Sequence, residues 1–307
     1  MQNFSTLLRR LLGEYPLSLL TSYLAIGAGI VSQIILVPMY LAALGAEGFG
    51  TLVLILGLIN YAIVGIGWLN GGLQRIFGET FGTKDLAGFV HALDVGKVIF
   101  VAYATVLALA GIGVFVGLDR AQVPLGAAIA AGFFLIALYE TSVERLALTA
   151  AGRLAATNML QFVQVVVYSI SVLLVLRFGG GLLGVFACQL GSVLVARLLV
   201  PLSWQGARPR AQHTVPPLRP LLARLTGRMG GGYFVAGALL ISSQSDVLIV
   251  GWLGGAEAAA RFVLLWKIAE VGVLVLWRIP ETLAPILVRL DAVGDRATIK
   301  RSKPIWV

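Results

Sequence analysis

The sequence predicts an all-helical polytopic membrane protein of about eight transmembrane helices, a six-helix lobe followed by the first two helices of a second, parallel-repeat lobe. Three observations predict it. Hydrophobic residues make up 59% of the chain and charged residues 12%, where a soluble domain carries roughly 25% charged. Apolar runs of about 20 residues, each able to cross a hydrocarbon core of about 30 Å, recur along nearly the whole length. A short pattern, YLAALGAEGFGTLVL at 40–54, returns as VGWLGGAEAAARFVL at 250–264.

The elements follow in order, with spans at 17–42, 50–74, 98–118, 123–148, 157–177, 181–202, 230–253 and 258–280. The first is too long for the apolar core of a signal peptide and passes through Pro38, Met39 and Tyr40 without a small-residue cleavage site, so it stays as a membrane helix. The fourth carries Glu140 and Glu144 on one face, with Arg145 and Arg153 near enough to pair with them. Asn158, Gln161 and Gln164 on the fifth spread over about 120° and either line a cavity or bond to a neighbouring helix. The single Cys188, in the sixth, excludes an internal disulfide. Strands of a membrane barrel would alternate apolar and polar residues, whereas runs such as ALLISSQSDVLIVGW are apolar on every side.

A net charge of +9 raises the question of nucleic acid, and the positions of the basic residues answer it. About 19 of them fall in the N-terminus, the even-numbered connections and the C-terminal segment, and about 3 (Arg120, Arg177 and Arg261) on the other side. By the positive-inside rule both termini are cytoplasmic, and the charge faces lipid headgroups rather than nucleic acid. His91 and His213 read as loop residues with no metal-ligand spacing around them; neither metal nor cofactor is expected.

Sliding the chain by 210 positions pairs Tyr23 with Tyr233, Gly27 with Gly237, Ser32 with Ser242, Gly45 with Gly255 and Glu47 with Glu257, without a gap. Six spans separate the copies, so both run the same way through the membrane. Parallel halves of this kind can rock about a site between them and open it to each face in turn. The division is therefore a first lobe at 1–202, a cytoplasmic linker at 203–228 rich in Pro and Arg, and the start of a second lobe with its tail at 229–307. On the repeat argument about four helices are missing, which makes the chain a shortened version of a longer transporter.

Two stretches carry a family resemblance: SQIILVPMYLAALGAEGFGTLVLILGLINYAIVGIGWLNGGLQR at 32–75 and SQSDVLIVGWLGGAEAAARFVLLWKIAE at 243–270. Both resemble polysaccharide flippases of the multidrug/oligosaccharidyl-lipid/polysaccharide exporter (MOP) superfamily, with their MATE-like fold. The resemblance implies alternating-access export of a polyprenyl-diphosphate-linked saccharide across the bacterial inner membrane, for cell-surface polysaccharide or lipopolysaccharide biosynthesis. Membrane lipids and polysaccharide-assembly enzymes are the implied partners. Drug-exporting relatives couple transport to Na⁺ or H⁺ through acidic residues, so a cation-coupled small-molecule exporter is the alternative, and a non-transporting scaffold of the same fold is another.

Lys267 sits near the middle of the eighth span with Glu270 one turn on, and Arg278 and Glu281 continue the stripe toward the cytoplasmic interface. The repeat aligns Gly57 and Asn60 with Lys267 and Glu270, so the helix itself does not demand charge there. Either Lys267 attracts an anionic headgroup or the two form an internal ion pair. The candidate substrate-binding residues are Lys267, Arg75 and Asn60; the ion-pair or coupling candidates are Glu270, Asp246, Glu140 and Glu144. An enzyme would need room to hold a sugar against acidic or histidine side chains, and outer loops of about 4 to 7 residues leave little.

Overall fold

The computed structural model describes residues 4–117, 124–204, 238 and 245–266, and among them every regular element is a helix. They are α1 (Phe4–Gly82), α2 (Leu86–Gly117), α3 (Leu125–Ala150), α4 (Leu154–Arg177), α5 (Gly181–Trp204) and α6 (Ser245–Trp266). The apolar stretch Pro16–Ile63 of α1 has 48 residues, about 72 Å at about 1.5 Å per residue, more than twice a hydrocarbon core. It cannot cross once. Gly45 breaks it at φ 72° and ψ 174°, a conformation that a residue without Cβ adopts at no steric cost, and Tyr40 then stacks on Phe49 across the break at 6.1 Å. The legs before and after Gly45 are α1a and α1b.

Contact registers give the direction of each leg. Phe77 and Phe81 of α1b meet Phe89 of α2 and Gly96 lies against Leu73, so α1b and α2 are antiparallel. Phe100 with Tyr139, and Ala108 with Gly132, make α2 and α3 antiparallel. Gly126 near Leu183 and Glu140 with Arg197 rise together, so α3 and α5 are parallel. Val175 of α4 packs back on Gly180 and Gly184, and the pairs Ser18 with Asn158 and Ser32 with Ser169 make α1a parallel to α4. The chain therefore crosses up and down without exception, and α1a and α1b run in opposite directions.

Side chains divide as a membrane requires. A continuous core runs from Leu36 through Phe77, Phe100 and Phe186 to Trp204, while Val98, Leu198 and Trp252 are 70%, 75% and 85% exposed, apolar surface that hydrocarbon rather than water tolerates.

Two expectations change and one open choice is decided. The third helix begins at Leu86, not 98, so His91 lies on a helix rather than in a loop. Tyr40, whose place near the end of an apolar span predicts an interface anchor, is instead buried and shares a hydrogen bond with the Tyr168 hydroxyl at 2.5 Å. For Asn158 the structure selects the helix–helix contact of the two readings offered: it is buried and donates to the Ser18 carbonyl and to Thr21. The linker after Trp204 and the stripe from Lys267 and Glu270 to Glu281 lie outside the described residues, as does His213.

The up-and-down order gives a direct test of topology. Lys84, in the α1b–α2 turn, and Gly179, in the α4–α5 turn, stand on opposite faces. Cysteines at 84 and 179, introduced singly with Cys188→Ser, are expected to react with a membrane-impermeant maleimide from opposite sides. Reaction of both from one side would break the order of crossings.

Candidate functional site

Two constellations stand out, a seam and a charge cluster. The seam joins α1b to α6. A Cβ on Gly50 would fall 1.9 Å from the Ala256 carbonyl oxygen, Leu54 fills the space beside Gly251, and Gly57 lies against Leu248. At the far end the Tyr61 and Ser245 hydroxyls bond at 2.6 Å. Rising numbers on one helix meet falling numbers on the other, so the first leg of α6 is antiparallel to α1b and parallel to α1a. Gly255, the repeat partner of Gly45, has φ 79° against its 72°. The pattern shared by 40–54 and 250–264 is thus a helix, a left-handed glycine and a second helix, and the two copies touch along the seam.

The charge cluster lies at the other end of the lobe. Lys97 of α2 bonds Glu144 of α3 at 2.5 Å, and the Trp204 indole donates to the second Glu144 oxygen at 3.3 Å. One turn earlier Glu140 pairs with Arg197 of α5 at 2.7 Å. Lys97, Glu140, Glu144 and Arg197 line a cavity of about 190 Å³ with Thr141, Val200 and Pro201. Arg145 and Arg153, offered by sequence as partners of the glutamates, go elsewhere: Arg145 donates to Gln164 and Arg153 to the Ser203 carbonyl. The reason is helical phase, since 100° per residue turns Arg145 toward α4 while Glu144 faces α2 and α5. Among the described residues no His, Cys, Asp and Glu group is arranged to hold a metal ion.

The sequence matches no protein-family model and no curated protein. The fold does match solved structures. The crystal structure of MATE in complex with MaD5 superimposes with a TM-score of 0.72 at 13% identity, over 91% of this chain and 66% of that one. The outward-facing conformation of a multidrug resistance MATE family transporter of the MOP superfamily gives 0.67 at 13%, over 91% and 62%. A MOP superfamily transporter from Pyrococcus furiosus, with a binding pocket of reverse polarity, gives 0.64 at 16%, over 90% and 62%. The chain has the MATE fold. It spans less than two thirds of the length of these MATE-fold structures.

Within this MATE fold the sequence-predicted residues fall into separate groups. Asn60 and Asp246 are both exposed and flank the Tyr61–Ser245 bond, so the seam brings these two to one level. Arg75 is exposed about four turns further along α1b and pairs with Glu79 at 3.5 Å. Glu140 and Glu144 belong to the charge cluster. Lys267 and Glu270 lie outside the described residues. Sequence reading missed Lys97 and Arg197 as partners because it counted both as loop cations. Both lie on helices, Lys97 about three turns inside α2 and Arg197 about two turns from the end of α5.

Proposed function

We propose that this chain forms the gated part of a membrane transporter that moves a polyprenyl-diphosphate-linked oligosaccharide across the bacterial inner membrane by alternating access, in cell-surface polysaccharide biosynthesis. The observation that carries the transport reading is the seam: two parallel copies of one helix–glycine–helix unit meet along a packed, glycine-notched line, the kind of joint about which two lobes rock. The saccharide reading is supported by the resemblance at 32–75 and 243–270 and by the mid-span cation Lys267. The face that holds Lys84, Lys97, Arg153 and Arg197 is the cytoplasmic one on the positive-inside rule. Asn60 and Asp246, exposed beside the seam, contribute polar contacts to the transported molecule, and Arg75 meets it near the cytoplasmic face.

The test is export by the full chain in a strain that depends on it. Lys267→Ala is expected to cut export by about tenfold or more, the worth of one charge-assisted contact, with the protein still inserted; Lys267→Arg retains part of it. If Lys267 only neutralises Glu270, Lys267→Ala with Glu270→Ala restores export, and headgroup binding is excluded. One structural likeness favours a second reading: a multidrug resistance transporter shares the fold. A cation-coupled small-molecule exporter would show Na⁺- or H⁺-dependent efflux of a lipophilic cation and no dependence on Lys267. Absence of both activities from the wild-type chain would identify a non-transporting scaffold.

A further inference from the structure

Arg145 is one of the two cations the charge cluster leaves over, and Arg153 is the other. Arg145 lies five residues from the end of α3 at Ala150, about 8 Å of helix, on the face that carries Lys97 and Arg197. Its Nη2 donates to the Gln164 side-chain oxygen at 2.5 Å, and its Nε is buried without an acceptor. Among the described residues no carboxylate pairs with it: Glu140 is held by Arg197, and Glu144 by Lys97 and Trp204 on another side of α3. A guanidinium drawn into a helical bundle with one neutral acceptor is costly, and an oxyanion relieves that cost. The residue as a whole is half-buried rather than fully enclosed, although its Nε is closed to solvent.

We infer that Arg145, with Gln164 orienting it, is a binding site for a phosphate group between α3 and α4. The planar fork of donors suits a tetrahedral oxyanion. At this depth the phosphate comes either from a phospholipid headgroup or from free phosphate at the cytoplasmic face. Gln164 holds one edge of the guanidinium and leaves the other donors for the ligand. The site is separate from the seam and stands whatever molecule the protein transports.

Two probes distinguish the sources. The purified full chain is titrated with inorganic phosphate in detergent, and in parallel reconstituted in nanodiscs of phosphatidylcholine with or without phosphatidylglycerol; the readout in both is the thermal unfolding midpoint. At least one probe is expected to raise the wild-type midpoint, and which one names the source. Arg145→Gln is expected to weaken the response by about tenfold or more in ligand concentration, with Arg145→Lys intermediate. Gln164→Glu is the decisive variant, because it is isosteric, offers the guanidinium the same acceptor oxygen and supplies the missing carboxylate from within. Its midpoint without ligand is expected to rise and its response to vanish. A wild type indifferent to both probes, or a Gln164→Glu protein that responds like wild type, overturns the site.

Discussion

Glu144→Leu is expected to remove most of the folded protein, whereas Glu140→Leu, one turn away in the same helix, is expected to leave it nearly unchanged. Both glutamates are ion-paired, so burial decides. The Glu144 side chain is 8% exposed and its Lys97 partner 25%; Glu140 and Arg197 are 24% and 51% exposed. Removing one member of a buried pair strands the other charge and costs about 3–5 kcal/mol, a large part of the roughly 5–15 kcal/mol that holds a domain folded. Glu144→Leu also strands the Trp204 indole N–H. The more exposed Glu140–Arg197 pair is expected to contribute only about 0–1 kcal/mol. The double change Lys97→Met with Glu144→Gln takes away both charges and keeps an acceptor for Trp204, so it is expected to recover most of the loss. Monodisperse yield on size exclusion and the thermal midpoint in detergent read all four proteins. Equal losses from Glu144→Leu and Glu140→Leu would show that the cluster does not hold α2, α3 and α5 together.

How much of this was legible in the sequence depended on the range over which each signal acts. The crossings were legible because a bilayer imposes a length of apolar chain on every helix, a local property that Pro16–Ile63 and Leu154–Arg177 satisfy on their own. The break at Gly45 was legible because the same Gly-Ala-Glu recurs 210 positions later at Gly255, and both glycines take a positive φ. Partner choice was not legible. Hydropathy marks where apolar sequence begins, not where a helix begins, so a start near 98 cut α2 short and made Lys97 a loop residue when it is two helical turns and more inside. Arg145 and Arg153 were nearer to the glutamates in sequence than Lys97 and Arg197, but proximity along the chain does not say which face a side chain takes. Tyr40 sits within a few residues of a helix end, as an interfacial anchor would, and only the packing of α4 against α1a shows that its hydroxyl meets Tyr168. Asn60 and Asp246 came together because the seam aligns their helices, a relation that neither segment carries alone.

The seam gives the other large expected effect. Any side chain at Gly50 meets main chain: its Cβ would lie 1.9 Å from the Ala256 oxygen and 2.4 Å from the Ala256 carbonyl carbon, and main chain cannot rotate aside as a flexible side chain does. Gly50→Val must push α6 away from α1b, and overpacking of this kind costs about 1–3 kcal/mol, about 5- to 150-fold in an equilibrium between a closed and an open seam. Gly71→Val on the same leg is the control, since a Cβ there meets nothing within 4 Å. Leu54→Cys with Gly251→Cys reports closure, because the Leu54 side chain already fills the space where a Gly251 Cβ would stand, within reach of the roughly 3.5–4.5 Å between Cβ atoms that a disulfide requires. In a Cys188→Ser background the pair is expected to cross-link readily alone and with Gly71→Val, and at least severalfold more slowly with Gly50→Val. Transport, if it requires the seam to close on this face, falls with the cross-linking rate. The repeat sharpens the experiment, because the position equivalent to Gly50 is Ala260, which is buried with its methyl group in place. The notch thus belongs to one copy of the repeat. Unchanged cross-linking in Gly50→Val would mean that the two helices absorb a side chain at their closest approach, and the seam would then be a packed joint rather than a gate.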